Sequence, residues 1–137
     1  MIGIIAPASA TSNDFKFISQ KNNDYCVFGS ISIPTEFDLN YLQIIRVYDF
    51  KGTMICSNVE TAQILIDLPL PKKKYFYVRS FEWESFNFVN YNDLKNIYLN
   101  ENIDLIAANK YIYEVLTKLF KEPKGICKDW DFSKLEL

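Results

Sequence analysis

The stretch from Thr53 to Glu84 constrains this chain most, because it spells a strand, a helix and a second strand in close succession. Thr53 to Cys56 is a short β-prone run. Asn58 is suited to cap a helix, Glu60 falls in the first turn where a carboxylate favours the dipole, and Val59, Ala62, Leu65 and Ile66 follow helical spacing. Pro69 and Pro71 stop that helix, and Lys72 to Lys74 lead into the aromatic and β-branched run Tyr75 to Glu84. That run reads as a central strand delivering polar groups to its carboxyl end. Short strand-helix-strand connections favour parallel pairing. The fold class expected is therefore α/β, a three-layer Rossmann-like domain with a mainly parallel sheet. Ligands of open α/β sheets bind at the carboxyl ends of the strands, so a site is sought there.

The other elements agree with one domain over residues 1–137, about the size at which a single core is well formed. Ile2 to Ala6 reads as a buried first strand opening into a loop of small polar residues, Ser9, Thr11, Ser12 and Asn13. Asp14 to Gln20 suits a short helix, and Tyr25 to Ile33 a strand closed by Pro34. Leu39 to Asn58 suggests a hairpin or a strand-loop-strand, with Ile44 to Tyr48 as one β run, or else a helix over Asp38 to Val47. Further helices are expected at Asn92 to Leu99 and Asn109 to Phe120, with strands at Asp104 to Ala107 and Ile126-Cys127. Tyr111, Ile112, Val115, Leu116, Leu119 and Phe120 give the helix at Asn109 one wide apolar face. The tail from Asp129 to Leu135 reads as a loop with a closing helical turn.

Composition narrows the chemistry. A 49% hydrophobic and 16% aromatic content suits a packed globule. A net charge of -2 lacks the basic footprint of a protein that grips phosphates, so nucleic acid is not an expected partner, and Lys72-Lys73-Lys74 reads as a solvated run. There is no His, which removes Ser-His-Asp and Cys-His catalysis and the commonest metal ligand. Cys26, Cys56 and Cys127 sit far apart in apolar runs, as buried free thiols do, and point to a cytoplasmic, reducing compartment. No stretch has the length of a membrane span, and the apolar start lacks the basic residues of a signal peptide. Abundant Asn, Lys, Ile, Tyr and Phe suit an AT-rich genome such as that of many phages or some bacteria. The loop after the first strand lacks both glycine-rich phosphate patterns, since Gly3 stands alone.

The succession Asn58-Val59-Glu60-Thr61-Ala62, lysine-rich turn, Tyr75-Phe76-Tyr77-Val78 with its acidic Trp-containing end, Asp104-Leu105-Ile106-Ala107-Ala108-Asn109 and Gly125-Ile126 resembles one Rossmann-like half of a GT-B glycosyltransferase. The resemblance runs from about Thr53 to the C-terminus. It implies a single lobe that needs a partner or a second copy to act on a nucleotide-sugar, because GT-B enzymes generally hold the nucleotide-sugar in their other lobe.

Candidate site residues follow from these readings. Glu82 and Glu84, two apart on an extended chain, would face one side and offer a carboxylate pair for acid-base work, with Trp83 on the other side as a ligand-facing ring. Asp129 and Asp131 are candidate metal ligands for Mg²⁺ or Mn²⁺ with that pair, and Asp129-Trp130-Asp131 resembles the DxD pattern of the GT-A glycosyltransferase fold. Ser9, Thr11 and Ser12 offer hydroxyls to a ligand. Arg46 and Arg79, the two arginines, are the anion anchors available. The competing reading for each is structural: solvated carboxylates, surface ion pairs and a polar connector. No cofactor is expected. Function is expected to be that of a non-catalytic interaction module, as in a phage structural or accessory protein of the virion or host cytoplasm, working with a protein partner or as a homo-oligomer. The alternatives are a glycosyltransferase-like lobe and a small-ligand-binding regulator.

Overall fold

The computed structural model describes residues 1–7, 10–20, 25–29, 37–85 and 91–137, without the side chains of Ser12, Glu84 and Ser85. Its strands are β1 (Ile2–Ile5), β2 (Tyr25–Gly29), β3 (Asn40–Gln43), β4 (Thr53–Cys56), β5 (Lys73–Val78) and β6 (Asp104–Ala107). The α-helices are α1 (Ser12–Ser19), α2 (Val59–Asp67), α3 (Glu82–Ser85), α4 (Tyr91–Tyr98) and α5 (Lys110–Leu119), and a 3-10 helix covers Ile44–Asp49. All six strands are parallel in the order β3-β2-β1-β4-β5-β6. This is the strand order of the Rossmann fold. Ile126 adds one parallel bridge to Ala107 beyond β6.

Strict alternation builds the three layers. Ile5, Phe28, Met54, Cys56, Phe76, Val78, Leu105 and Ala107 point to one face, where they pack with the buried residues of α2, α4, α5 and the 3-10 helix. Their neighbours Ile4, Val27, Ile55, Tyr75, Tyr77 and Ile106 point to the other face. There they meet Phe15 and Ile18 of α1 and Cys127, Trp130 and Phe132 of the C-terminal tail. Strands covered on both faces need apolar residues at every position, which is why they read as continuous hydrophobic runs. Gly3 answers a close approach: a Cβ there would come within 2.7 Å of Met54 Sδ and 3.0 Å of the Phe50 ring.

Several expectations need correcting. Residues 44–48 form the 3-10 helix, and β3 and β4 are separated by β2 and β1, so no hairpin exists at Leu39 to Asn58. The crossover from the rim of the sheet to its centre takes that segment over the first face, where Val47 is buried. The run at Tyr75 leaves the sheet at Val78, and β1 and β4 hold the centre. The apolar face of α5 is narrower than its spacing suggests, with Ile112 and Leu116 buried and Tyr111 and Leu119 mostly exposed. That helix follows β6 near the rim and is covered along one side. The expected continuation of β2 through Ile33 lies outside the described residues.

Candidate functional site

In a sheet of this order the crevice forms at the carboxyl edge, where α1 leaves β1 in one direction and α2 leaves β4 in the other. Helix N-termini there offer unpaired N–H groups and positive dipole ends, which suit an anion. The local sequence fills those of α1, α2 and α5. Thr11 caps α1: its Oγ1 accepts from Asp14 N at 3.3 Å, and Asp14 Oδ2 accepts from Thr11 N at 3.0 Å. Asn58 Oδ1 accepts from Thr61 N at 2.8 Å at the start of α2, and Thr61 Oγ1 accepts in return from Asn58 N at 3.3 Å. Glu82 crosses from α3 to take a further N–H, that of Val59, at 2.8 Å. Asn109 Oδ1 accepts from Ile112 N at 2.9 Å at the start of α5.

Asp14 is the hub on the second face. Its Oδ1 accepts from Arg79 Nη1 and, at 3.3 Å, from the indole N–H of Trp130. The Arg79 guanidinium lies 5.3 Å from the Trp130 ring centre, within cation-π range. Burial works to raise the Asp14 pKa, but the Thr11 N–H, the Arg79 charge and the indole N–H outweigh it and hold the carboxyl below its ordinary value. Asp129 and Trp130 both have positive φ, 50° and 63°, in the turn closed by Asp131 N donating to Lys128 O. This left-handed turn drives the indole inward, where Trp130 packs edge-on against Tyr77 at 5.1 Å.

Glu82 has a different setting on the first face. Burial raises its pKa, the Val59 N–H lowers it, and Glu60 raises it, with a net upward shift. The folded state therefore holds the proton more tightly than the unfolded chain. Stability from this group is fullest below the ordinary carboxylate range and declines as pH rises through the folded pKa. Glu82→Gln keeps an acceptor for Val59 and removes the charge. At neutral pH it should leave stability unchanged or raise it by no more than about 1 kcal/mol, and flatten the pH dependence between mildly acidic and neutral pH. Urea titrations of both proteins at several pH values check this, and a clear loss at neutral pH would contradict it.

No protein-family model, curated protein or solved structure matches this chain. What its edge can do is therefore read from its own residues. The carboxylate pair inferred at Glu82 and Glu84 presumed an extended chain, yet α3 is helical there, and residues two apart on a helix turn away from each other. Glu82 belongs to the first face through α2, whereas Asp129 is an exposed residue of the tail on the second. Asp131 Oδ1 accepts from Ser133 N at 3.2 Å and Ser133 Oγ at 2.6 Å, as in an Asx turn. Among the described residues, no group of three or more His, Cys, Asp or Glu is placed to hold a metal. Trp83 stacks on Phe81 at 4.6 Å and meets Tyr98 edge-on at 5.6 Å. Thr11 is committed to its cap, Arg79 to Asp14, and Arg46 to Asp49 at 3.2 Å. Ser9 and the side chains of Ser12 and Glu84 lie outside the described residues.

Residues that the sequence reading passed over carry this edge: Asp14, Thr61, Tyr98 and Trp130. The Thr11-x-x-Asp14 spacing is a capping-box signature and was the available signal for the first. Tyr98 is buried between Phe76 at 5.2 Å and Phe120 at 4.8 Å, and its hydroxyl has no hydrogen-bond partner among the described residues. Burial, then the nearby Glu82 and Cys56, push its pKa far above the usual tyrosine value. A buried hydroxyl without a partner costs about 1–3 kcal/mol. Tyr98→Phe should hence be neutral or stabilising by about 1 kcal/mol. A loss above that size in thermal or urea unfolding would mean the hydroxyl has a partner.

Two grooves lie away from this edge. One of about 500 Å³ opens at the amino ends of β5 and β6 among Lys72, Lys73, Asp104, Lys124 and Glu136. Its lysines and carboxylates are mixed, and the neighbouring Lys74 is spent on the Ile66 carbonyl at 2.8 Å, near the end of α2. The other, of about 240 Å³, runs between α2 and α4 past Gln63, Asp67, Asp93 and Asn96.

Proposed function

We propose that this chain is a non-catalytic Rossmann-like interaction module that works through contact with protein. The observation that carries the reading is that its own side chains already occupy the helix N-termini at the carboxyl edge. A dinucleotide pyrophosphate seated at α1 would meet the Asp14 carboxylate, and one at α2 would meet Glu82. Both contacts are repulsive, and the glycines that let a backbone approach phosphate are missing. A phage structural or accessory role fits this reading, as do three buried free thiols in a reducing compartment. Among the described residues no helix is long and apolar enough to cross a membrane.

A second reading, a glycosyltransferase-like lobe completed by a partner, is favoured by the β3-β2-β1-β4-β5-β6 order. Its switch point at β1 and β4 is where such a lobe would face a ligand held by the other half. Calorimetric titration with UDP-glucose and with NAD at millimolar concentration separates the two. The module reading expects no heat from either compound. Saturable heat from UDP-glucose would overturn it in favour of the second reading.

A further inference from the structure

One strip of exposed apolar surface lies at the β3 rim, starting at the carboxyl end of that strand. Among the described residues β3 is the last strand of the sheet, and Leu42 on it points to the first face, since its register partner Phe28 belongs to that face's core. The 3-10 helix starts at the next residue but one, and at three residues per turn Ile45 and Tyr48 stand on the same side of it. Leu42, Ile45 and Tyr48 are 41%, 63% and 56% exposed, whereas Val47 on the opposite side of the helix is buried. Isolated apolar residues on a surface need no explanation; three that recur at three-residue spacing along one rim are a candidate contact.

Charge selects the occupant. The strand residues Asn40, Tyr41, Leu42 and Gln43 carry none, and the helix carries one of each sign, Arg46 and Asp49, both exposed and paired with each other. Such a strip gives a strongly acidic or basic partner nothing to bind, but it is self-complementary. In a pair of copies related by a two-fold axis through this strip, Arg46 of one copy would face Asp49 of the other and the apolar side chains would meet across the axis. The net charge of -2 adds little repulsion between copies. We infer that this strip is the contact between two copies of the chain, related by a two-fold axis at the β3 rim. The inference rests on the interaction-module reading and names its partner as a second copy. Tyr48 of each copy covers Ile45 and Leu42 of the other, an aromatic anchor of the kind enriched at interfaces. The strip is smaller than the ~800 Å² per partner of a standard interface, so the dimer dissociates in the micromolar range.

Sedimentation equilibrium from low to high micromolar concentration tests this. The wild type should move from monomer to dimer across that range, and Ile45→Asp should weaken the dimer about tenfold or more, an energy of about 1.4 kcal/mol. Tyr111→Asp, at an equally exposed site on α5, should leave it unchanged. Arg46→Asp or Asp49→Arg alone should weaken self-association by opposing like charges across the axis, and an equimolar mixture of the two variants should associate again, which repair of the pair within one copy cannot do because each variant still lacks it. A wild type monomeric throughout, or an Ile45→Asp dimer as tight as wild type, overturns the inference. Either result, with no heat from UDP-glucose, removes the second copy as partner and leaves the module reading standing. Heat from UDP-glucose removes the module reading whatever the oligomeric state.

Discussion

Trp130→Ala should destabilise the protein by about 4 kcal/mol, the upper range for truncating a buried aromatic side chain. The second face of the sheet explains the size. No helix follows α1 on that side among the described residues, and the tail serves as the covering layer over β5 and β6. Trp130 is its anchor, buried against Tyr77 and Phe132 and bonded through its indole N–H to Asp14. Two further bonds fasten the same segment, from Tyr77 Oη to Cys127 O at 2.7 Å and from Tyr25 Oη to Trp130 O at 3.4 Å. Burial also raises the Tyr77 pKa to about 12, so that hydroxyl remains a donor at any working pH. The left-handed backbone at Asp129 and Trp130 costs of order 1 kcal/mol per residue, which indole burial must offset. Trp130→Phe keeps a ring but loses the N–H and should cost roughly half as much as the alanine change. Urea unfolding followed by circular dichroism measures all three proteins, and a loss under about 1 kcal/mol for Trp130→Ala would refute the tail's role as a core layer.

Asp14→Ala should cost about 3 kcal/mol, because one carboxylate serves three partners. It completes the α1 capping box, pairs with Arg79 and accepts from Trp130. Loss of a cap costs about 1 kcal/mol, and the rest comes from a buried N–H and a half-exposed guanidinium left without their acceptor. Asp14→Asn keeps one oxygen and should cost less. Arg79→Ala should also cost less, since Asp14 then retains Thr11 and Trp130. The sign of the pH effect follows from the lowered pKa. Asp14 stabilises the fold above the unfolded carboxylate value of about 3.9, and that contribution is lost as pH falls through the lower folded value. Wild-type stability should drop more steeply than that of Asp14→Asn below about pH 4. Parallel slopes in acid would sink the assignment.

An extended chain would pair Glu82 with Glu84, the two most prominent carboxylates, but the strand ends at Val78, four residues before Glu82. Local composition does not reveal where the sheet releases β5. The Val59 N–H that draws Glu82 into α3 lies 23 residues away. Asp14 was unremarked for the opposite reason, since its three partners come from the loop beside it, from Arg79 and from Trp130. The pairing of Asp14 and Trp130 spans 116 residues, and no local pattern encodes it.

By itself the sequence determined the α/β class, the parallel sheet and the positions of α2, α4 and α5. Those features depend on periodicity, capping and chain breakers, which act over a few residues and can be read in order: Asn58 caps where expected, the helix expected from Asn109 forms, and the apolar runs became β1, β4, β5 and β6. Tertiary structure decided the strand order, the 3-10 crossover that exposes Ile45 and Tyr48, the tail as a third layer, and the filling of the helix N-termini by Asp14 and Glu82. Each of these joins segments distant in the chain, and such pairings are selected by packing and charge within the whole fold rather than by any local preference.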